Sequence, residues 1–411
     1  MRFARHVFCV PAHAQDTIRN QSFMSFLDLA RWCAASIVFL GHLRNPLFQG
    51  YNSLVAEDQG ALVRVWYFVT GLHAEAVVVF FVLSGFLVGG LSCGKMAEGR
   101  FSLTDYGIDR VSRLFIAYFP ALAVTAAVDH FGVSCCSGSG LYDHTQLMIR
   151  EKITGDAFSA AMQWGVLGAN LLMLQTFFFP PFGSNQPLWT ISAEFWFYAV
   201  FGLLAAAWRA RRGRSGVLWA FAAMAAFFFL GGHFLPLFGL WVIGGLAAFL
   251  SSRIEQPVLA ITSFVLIMAL SRVKQQWVTG FEYGVEIKNY VVALTFCWAM
   301  VSMRNVSSKI LIRLAPFNEF MAKFSYSLYL VHFPVLFFAL AVLYQVGGFS
   351  TIFTGYRPTS PEGLALYVAC AAFVYLFAYM FAYCTERQTG RLRRAVKDRL
   401  ARIGHRIREA S

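Results

Sequence analysis

The sequence predicts an all-α fold, a polytopic transmembrane helical bundle of about ten spanning helices with an extra interfacial or re-entrant segment near residues 164–181. Three observations lead there. Hydrophobic residues form 58% of the 411 and charged residues only 13%, where a soluble domain carries about 25% charged residues. Apolar runs of the roughly 20 residues that a helix needs to cross a bilayer recur along the chain. The 34 Lys and Arg residues are also clustered, and ten crossings collect nearly all of the clusters on one side.

In chain order, a leader of residues 1–25 comes first. Its apolar core of about four residues falls short of the roughly 7–15 of a signal peptide. The run 26–43 is the first span. Runs 74–92 and 112–130 flank a basic connection with Lys95, Arg100, Arg110 and Arg113. The next run, 164–181, contains Asn170 and Gln175 and ends in Pro180-Pro181. Counted as a crossing, it would send Arg209, Arg211, Arg212 and Arg214 outside, against the tendency of Lys and Arg to stay cytoplasmic. Taken as interfacial or re-entrant, it leaves ten spans, the others being 188–208, 216–232, 234–251, 257–271, 289–303, 324–346 and 364–385. Both termini are then cytoplasmic. The membrane domain covers 26–386, and a basic tail, 387–411, is suited to anionic lipid.

Composition also excludes partners. The net charge of +13 reads as cytoplasmic anchoring beside the lipid bilayer, so no nucleic acid is expected. Eight cysteines fall mostly inside apolar runs, where Cys is a small hydrophobe. Cys135-Cys136 sits in a polar loop, and neither zinc spacing nor a disulfide framework is present. No metal site is expected.

The first span keeps its charge. A charged side chain at mid-membrane costs roughly 2.5–3.5 kcal/mol on insertion scales, so Asp28, Arg31 and His42 mark function by default. The spacing of Arg31 and His42 returns within about 20° of one direction and separates them by about 16 Å of rise. Asp28 precedes Arg31 by one turn, where side chains meet. Two readings of Arg31 stand, a partner for Asp28 or a ligand-binding group.

Other spans carry polar groups at definite depths. Ser84-Gly85 lies mid-span, where small residues admit a second backbone and Ser84 adds a hydroxyl. Arg110 and Arg113 stand one turn apart at the cytoplasmic end of the third span. Their guanidinium forks suit phosphate, while plain inside anchoring accounts for them equally. The stretch Gln186–Tyr198, with Trp189 and Tyr198, opens the next span and sets Glu194 about two turns deep, near the depth of His42. A carboxylate and an imidazole at one level form a candidate acid/base pair. Tyr326, Tyr329 and His332 continue an i, i+3 series before Pro334, either lining a cavity or packing a bent helix.

Five segments together resemble the acyltransferase-3 family of integral membrane O-acyltransferases, over about residues 25–390. Leu27-Asp28-Leu29-Ala30-Arg31 with His42 is similar to its opening D-x-x-R and its Arg-to-His spacing. Phe80-Phe81-Val82-Leu83-Ser84-Gly85-Phe86 resembles F-F-x-x-S-G-F, and Arg110 with Arg113 matches R-x-x-R. Pro187-Leu188-Trp189-Thr190-Ile191-Ser192-Ala193-Glu194 resembles P-L-W-S-L-S-x-E, and Ser325 to His332 resembles S-Y-x-x-Y-L-x-H. The chain departs from the family at Glu386-Arg387-Gln388, where Glu-Arg-Pro is common.

The resemblance implies transfer of an acyl group, most often acetyl, from cytoplasmic acyl-CoA to a hydroxyl of a cell-surface or exported glycan, glycolipid or small molecule. It implies a bacterial inner membrane and no tightly bound cofactor, acetyl-CoA being a substrate. On this expectation Arg110 and Arg113, with Arg31, hold the CoA, and His42 is the general base with Glu194 beside it. Asp28, Ser84, Trp189, Tyr198, Tyr326, Tyr329 and His332 line the substrate cavity. A covalent acyl-histidine remains open beside direct transfer. The competing class is a proton-coupled transporter or flippase of a glycan or small molecule, which would consume no acyl-CoA.

Overall fold

The computed structural model describes residues 20–139, 141–142, 155–211, 213–232, 234–250, 256–273 and 283–410. Most of the expected leader lies outside them. Among the described residues the chain is helical, without strands. Helices α1 (Gln21–Leu47), α2 (Ala61–Thr70), α3 (His73–Ala97), α4 (Leu103–Cys135), α5 (Gly155–Ala161) and α6 (Trp164–Leu171) come first. They are followed by α7 (Trp189–Arg209), α8 (Arg214–Leu230), α9 (Phe234–Ala247), α10 (Pro257–Val273) and α11 (Gly284–Met303). Helices α12 (Lys309–Ala322), α13 (Ser325–Gln345), α14 (Pro361–Cys384) and α15 (Thr389–Ala410) follow in turn.

Seven stretches are long and apolar enough to cross a bilayer: α1, α3, α4, α7 with the turn before it, α11, α13, and α14 running on into α15. Helices α8, α9 and α10, of 17, 14 and 17 residues, rise about 21–26 Å, a little under the ~30 Å of a hydrocarbon core. With these three, each of the ten expected spans has a counterpart.

Hydrogen bonds sort the helix ends onto two faces. On one, Asn20 donates to the Arg304 carbonyl at 2.8 Å and the Ser308 amide to Ser22 Oγ at 3.1 Å. Lys397 pairs there with Asp105 at 2.6 Å, and Arg209 donates to the Phe101 carbonyl. This is the basic face, and both described ends of the chain lie on it. On the other face the Gln49 amide donates to the Tyr356 carbonyl at 3.1 Å, and the Tyr356 amide to the Leu47 carbonyl at 2.8 Å. There Arg357 clasps Asp58 through Nε at 2.6 Å and a second nitrogen at 3.0 Å.

The segment 164–181 does not cross. Helix α6 has eight residues, about 12 Å, and the chain then doubles back through left-handed residues Met173 (φ 59°) and Thr176 (φ 79°). Its polar side chains tie the return: Asn170 donates to the carbonyls of Val166 and Pro180, and Gln175 to the Tyr118 hydroxyl at 2.8 Å. Pro334 is absorbed similarly. Without an N–H it leaves the Leu330 carbonyl lacking its helical partner, and Asn185 Nδ2 donates there at 2.9 Å.

The tightest packing joins α3 to α9. A Cβ added to Gly85 would lie 1.8 Å from the Trp241 carbonyl oxygen, and one on Gly244 would lie 2.1 Å from that of Val82. Backbone meets backbone, as the small pair Ser84-Gly85 foretold. Gly85 also begins a wider π-turn, Gly85–Gly90, of the kind found at functional sites.

Two outcomes follow. Gly85→Leu drives a side chain into backbone that cannot rotate away, so it costs about 1–3 kcal/mol or more and lowers the melting temperature in detergent. Gly107→Ala, with nothing within 4 Å of the new methyl, leaves it unchanged or slightly higher. The hydrogen bond from Arg357 holds the Asp58 carboxyl below its ordinary value near 3.8. Its stabilisation is therefore complete above that value and is lost as pH falls through the lower folded value. The protection factor for hydrogen exchange at 56–59 is expected to be flat from neutral pH to about 4 and to fall below it, and Arg357→Gln abolishes that step.

Candidate active site

Helix α1 is unbroken from Gln21 to Leu47, so the spacing read from sequence carries into space. Arg31 sits toward the basic face and His42 about 16 Å further along. They open onto different cavities.

The first cavity, of about 270 Å³, lies inside the bundle. Arg31 from α1 and Arg110 and Arg113 from α4 meet there with Ser84 from α3 and Glu194 and Tyr198 from α7. Ser84 Oγ donates to Glu194 Oε1 at 2.7 Å, and the Tyr198 hydroxyl donates to the same oxygen. The two hydroxyl oxygens are 2.9 Å apart, and Trp241 Nε1 donates to Ser84 Oγ at 3.1 Å. The close α3–α9 contact brings that indole within reach. Tyr326, which also lines the cavity, donates to the Leu114 carbonyl at 3.2 Å.

The cavity carries surplus positive charge. Arg31 meets Asp28 at 3.3 Å, so the pairing expected at one turn forms, yet Arg31 lines the cavity too. Arg110 lies over the Tyr198 ring at 5.7 Å. Among the described residues no ion pair or hydrogen bond engages the guanidinium of Arg110 or Arg113. Within the lining three guanidiniums stand with the one carboxylate of Glu194, while Asp28 and Glu386 reach Arg31 and Arg113 from the bordering pocket, and charge in a low-dielectric interior needs a counter-charge. The donor set suits an anion with several acceptor oxygens.

Two pockets of mixed charge border this cavity. In one, of about 660 Å³, Arg31 and Arg113 face Lys323, Arg387 and Arg393 together with Glu319 and Glu386. In the other, of about 410 Å³, Arg110 faces Lys95, Arg100 and Lys397 together with Glu98, Asp105 and Asp109. Asp28 lies at the rim, in the first of them. The tail helix α15 folds back over both, Arg393 pairing with Asp109 at 3.0 Å and Lys397 with Asp105 at 2.6 Å. Glu386 turns the chain there, accepting from the Ser327 amide at 3.1 Å and hydroxyl at 2.9 Å.

His42 lines the second cavity, of about 370 Å³, with His73, Gln186, Trp189 and Asn289. Val77, Phe81 and Tyr329 line both cavities and form the wall between them. The Tyr329 hydroxyl accepts from Thr190 at 2.9 Å and donates to the Pro187 carbonyl at 3.3 Å. His332 lines neither cavity. It is fully buried behind His42, with ring centroids 5.4 Å apart. Its Nδ1 faces the carbonyls of Leu328 and Tyr329 at 3.1 and 2.8 Å, so Nδ1 carries the proton and Nε2 the lone pair.

The structure does not bring Glu194 to His42. They reach similar depth, but α7 turns Glu194 toward Ser84 and the arginines, while His42 faces the far side of the wall. Depth on two helices leaves the direction of each side chain open. Trp241 and His73 escaped the sequence reading altogether. Trp241 lies in a uniformly apolar run that gives no periodicity, whereas His73, a polar residue at the start of a span, was a usable signal.

Over residues 24–383 the sequence matches the model of a family described as Acyltransferase domain. It is 27% identical over 207 residues to Nodulation protein 10 of Rhizobium leguminosarum bv. viciae, covering 50% of this chain and 51% of that protein. The chain thus spans about half the length of that curated relative. No solved structure matches it.

A surplus of guanidinium predicts stabilisation by a small polyanion. Inorganic pyrophosphate at a hundred times its dissociation constant raises stability by about 2.7 kcal/mol, read as a higher melting temperature in detergent. The Arg110→Ala, Arg113→Ala double variant loses that rise, and His42→Ala, across the wall, keeps it.

Proposed function

The chain belongs to that acyltransferase family, and we propose that it moves an acyl group, acetyl in the first instance, from acyl-CoA to a hydroxyl of a cell-surface or exported glycan. The observation that carries this reading is the pairing of two cavities across one wall. One is lined by Arg31, Arg110 and Arg113 and the other by His42. In this reading the basic face is cytoplasmic, the membrane is the bacterial inner membrane, and acyl-CoA enters from the basic side. The clustering of Lys and Arg supports that orientation.

Each residue then has a task. Arg110 and Arg113 hold the phosphates of CoA by charge-assisted hydrogen bonds, and Arg31 continues the line inward. The thioester reaches the wall of Val77, Phe81 and Tyr329. On the other side His42 takes the proton of the acceptor hydroxyl, whose oxygen bonds to the thioester carbonyl carbon. The C–S bond breaks, and the CoA thiolate leaves with the proton returned by the imidazolium. A positioned base of this kind contributes about 10²- to 10⁴-fold. Glu194, bonded to Ser84 and Tyr198, offsets the arginine charge and fixes the cavity wall, in place of the imidazole partnership expected from sequence. A covalent acyl-histidine requires that labelled acyl-CoA alone label the protein in one turnover, whereas direct transfer requires that it does not.

The test is release of free CoA thiol from acetyl-CoA by the purified protein in the presence of a glycan extract. Acceptor-dependent release is expected, reduced about 10²- to 10⁴-fold in His42→Ala. The Arg110→Ala, Arg113→Ala variant is expected to raise KM for acetyl-CoA more than it lowers kcat. A protein that neither binds nor consumes acyl-CoA overturns this reading in favour of gradient-driven transport.

A further inference from the structure

The His42 cavity has a lining unlike that of its neighbour. Among the described residues no Asp, Glu, Lys or Arg faces it. Among the described residues, the cations at this end of the bundle lie outside its lining, Arg272 standing beside Gly71. Lys288, next in sequence to Asn289, pairs with Glu75 at 2.8 Å. Arg44 donates to the Tyr67 carbonyl, the Thr70 hydroxyl and Asn45. An acceptor bearing a carboxylate, sulfate or phosphate beside its reacting hydroxyl would find no counter-charge here, and its desolvation would go uncompensated.

Three side chains point to what the cavity does take. Gln186 lies in the turn before α7, Trp189 opens α7, and Asn289 comes from α11. All three line the cavity, and none makes a side-chain hydrogen bond among the described residues, although each carries strong hydrogen-bonding groups. Asn289 Oδ1 is buried without a partner. Buried amides are almost always bonded, so the open Asn289 Oδ1 is the clearest sign of a group held for a ligand, and the half-buried Gln186 carboxamide and Trp189 indole face the same cavity. Each carboxamide offers both donor and acceptor, and the indole adds a donor and a flat face whose negative quadrupole attracts C–H edges. A molecule with alternating hydroxyls and one apolar face answers all three.

We propose that Gln186, Trp189 and Asn289 select an uncharged polyol at this site, a sugar ring with no acidic group beside the reacting hydroxyl, and turn that hydroxyl toward His42. This rests on the acyltransferase reading. The two carboxamides bracket neighbouring hydroxyls of the ring, the indole covers its C–H face, and the neutral lining rejects acidic counterparts. Gln186 and Asn289 act as positioning residues, since neither touches the thioester. The cavity volume, about 370 Å³, is within the range of small-ligand pockets.

The experiment uses the full-length protein in detergent with acetyl-CoA and two matched panels. One contains methyl glycosides of glucose, galactose and mannose, and the other the corresponding methyl uronosides. Binding of acetyl-CoA is measured by calorimetry beside thiol release. Release with at least one neutral glycoside is expected, and each uronoside has a kcat/KM more than tenfold lower than that of its neutral glycoside. In Gln186→Ala and Asn289→Ala, KM for the glycoside rises at least tenfold, kcat changes less, and acetyl-CoA binding stays at the wild-type value. Asn289→Ser, which keeps a donor and acceptor, recovers part of the loss. Uronosides used as well as neutral sugars, unchanged glycoside KM in both alanine variants, or acetyl-CoA bound with no glycoside consumed each overturn the proposal. Absence of acetyl-CoA binding in the wild type instead overturns the acyltransferase reading beneath it.

Discussion

Everything in this bundle depends on one constraint, that a polar group away from water must find its partner inside the protein. The chain meets it with economy in most places. Asn185 covers the carbonyl that Pro334 leaves bare, Asn170 and Gln175 tie a returning loop, and Arg304 donates to the carbonyls of Ala247 and Leu250 where α9 ends. Against that background the open groups stand out. Among the described residues the guanidiniums of Arg110 and Arg113 make no hydrogen bond or ion pair on one side of the wall of Val77, Phe81 and Tyr329, and the side chains of Gln186, Trp189 and Asn289 make no hydrogen bond on the other. Arg110 Nε and Asn289 Oδ1 are buried without a partner, one in each cavity lining.

The hydrogen-bonded centre of Ser84, Glu194, Tyr198 and Trp241 shows how packing and chemistry share residues. Gly85 lets the α9 backbone approach, which carries Trp241 to Ser84, which in turn donates to Glu194. Three helices are thereby held around one carboxylate. The same carboxylate is the anionic member of a cavity ringed by guanidiniums. A carboxylate free to swing toward Arg110 or Arg113 would neutralise them. Held by two hydroxyls, it lowers the net charge while leaving their forks available.

What was legible in the sequence depended on whether one helix carried the whole relation. Asp28 with Arg31, and Arg31 with His42, lie on one helix, so spacing fixes their geometry and the structure follows it. The turn at 164–181 was legible because Asn170, Gln175 and two prolines interrupt its apolar run. Relations between helices were not. Glu194 and His42 agree in depth, but depth leaves rotation about two separate axes free, and here the rotation sets them on opposite sides of a wall. Trp241 is one aromatic among many in an apolar stretch, and its role arises only because a glycine on another helix admits it. Asn289 has the same difficulty, a polar residue near a helix start whose meaning depends on what it faces.

The division into two cavities has a physical logic that a single tunnel would lack. In the acyltransferase reading a polyanionic donor would be held by fixed positive charge, which a neutral acceptor neither needs nor tolerates well, since unanswered cations in a dry pocket carry a large desolvation penalty. Joining both ligands in one space would force a compromise on both linings. Keeping them apart leaves only the reacting atoms to meet, and the wall between them is made for that. Val77 and Phe81 are apolar, and in the acyltransferase reading they would keep water from the thioester. Tyr329 is held across the boundary by hydrogen bonds to Thr190 and the Pro187 carbonyl. Those partners belong to the same short stretch that carries Gln186 and Trp189, so a ring of sugar seated on the acceptor side bears directly on the residues that hold the wall shut. In the acyltransferase reading, acceptor binding and access to the donor are therefore coupled through the turn before α7.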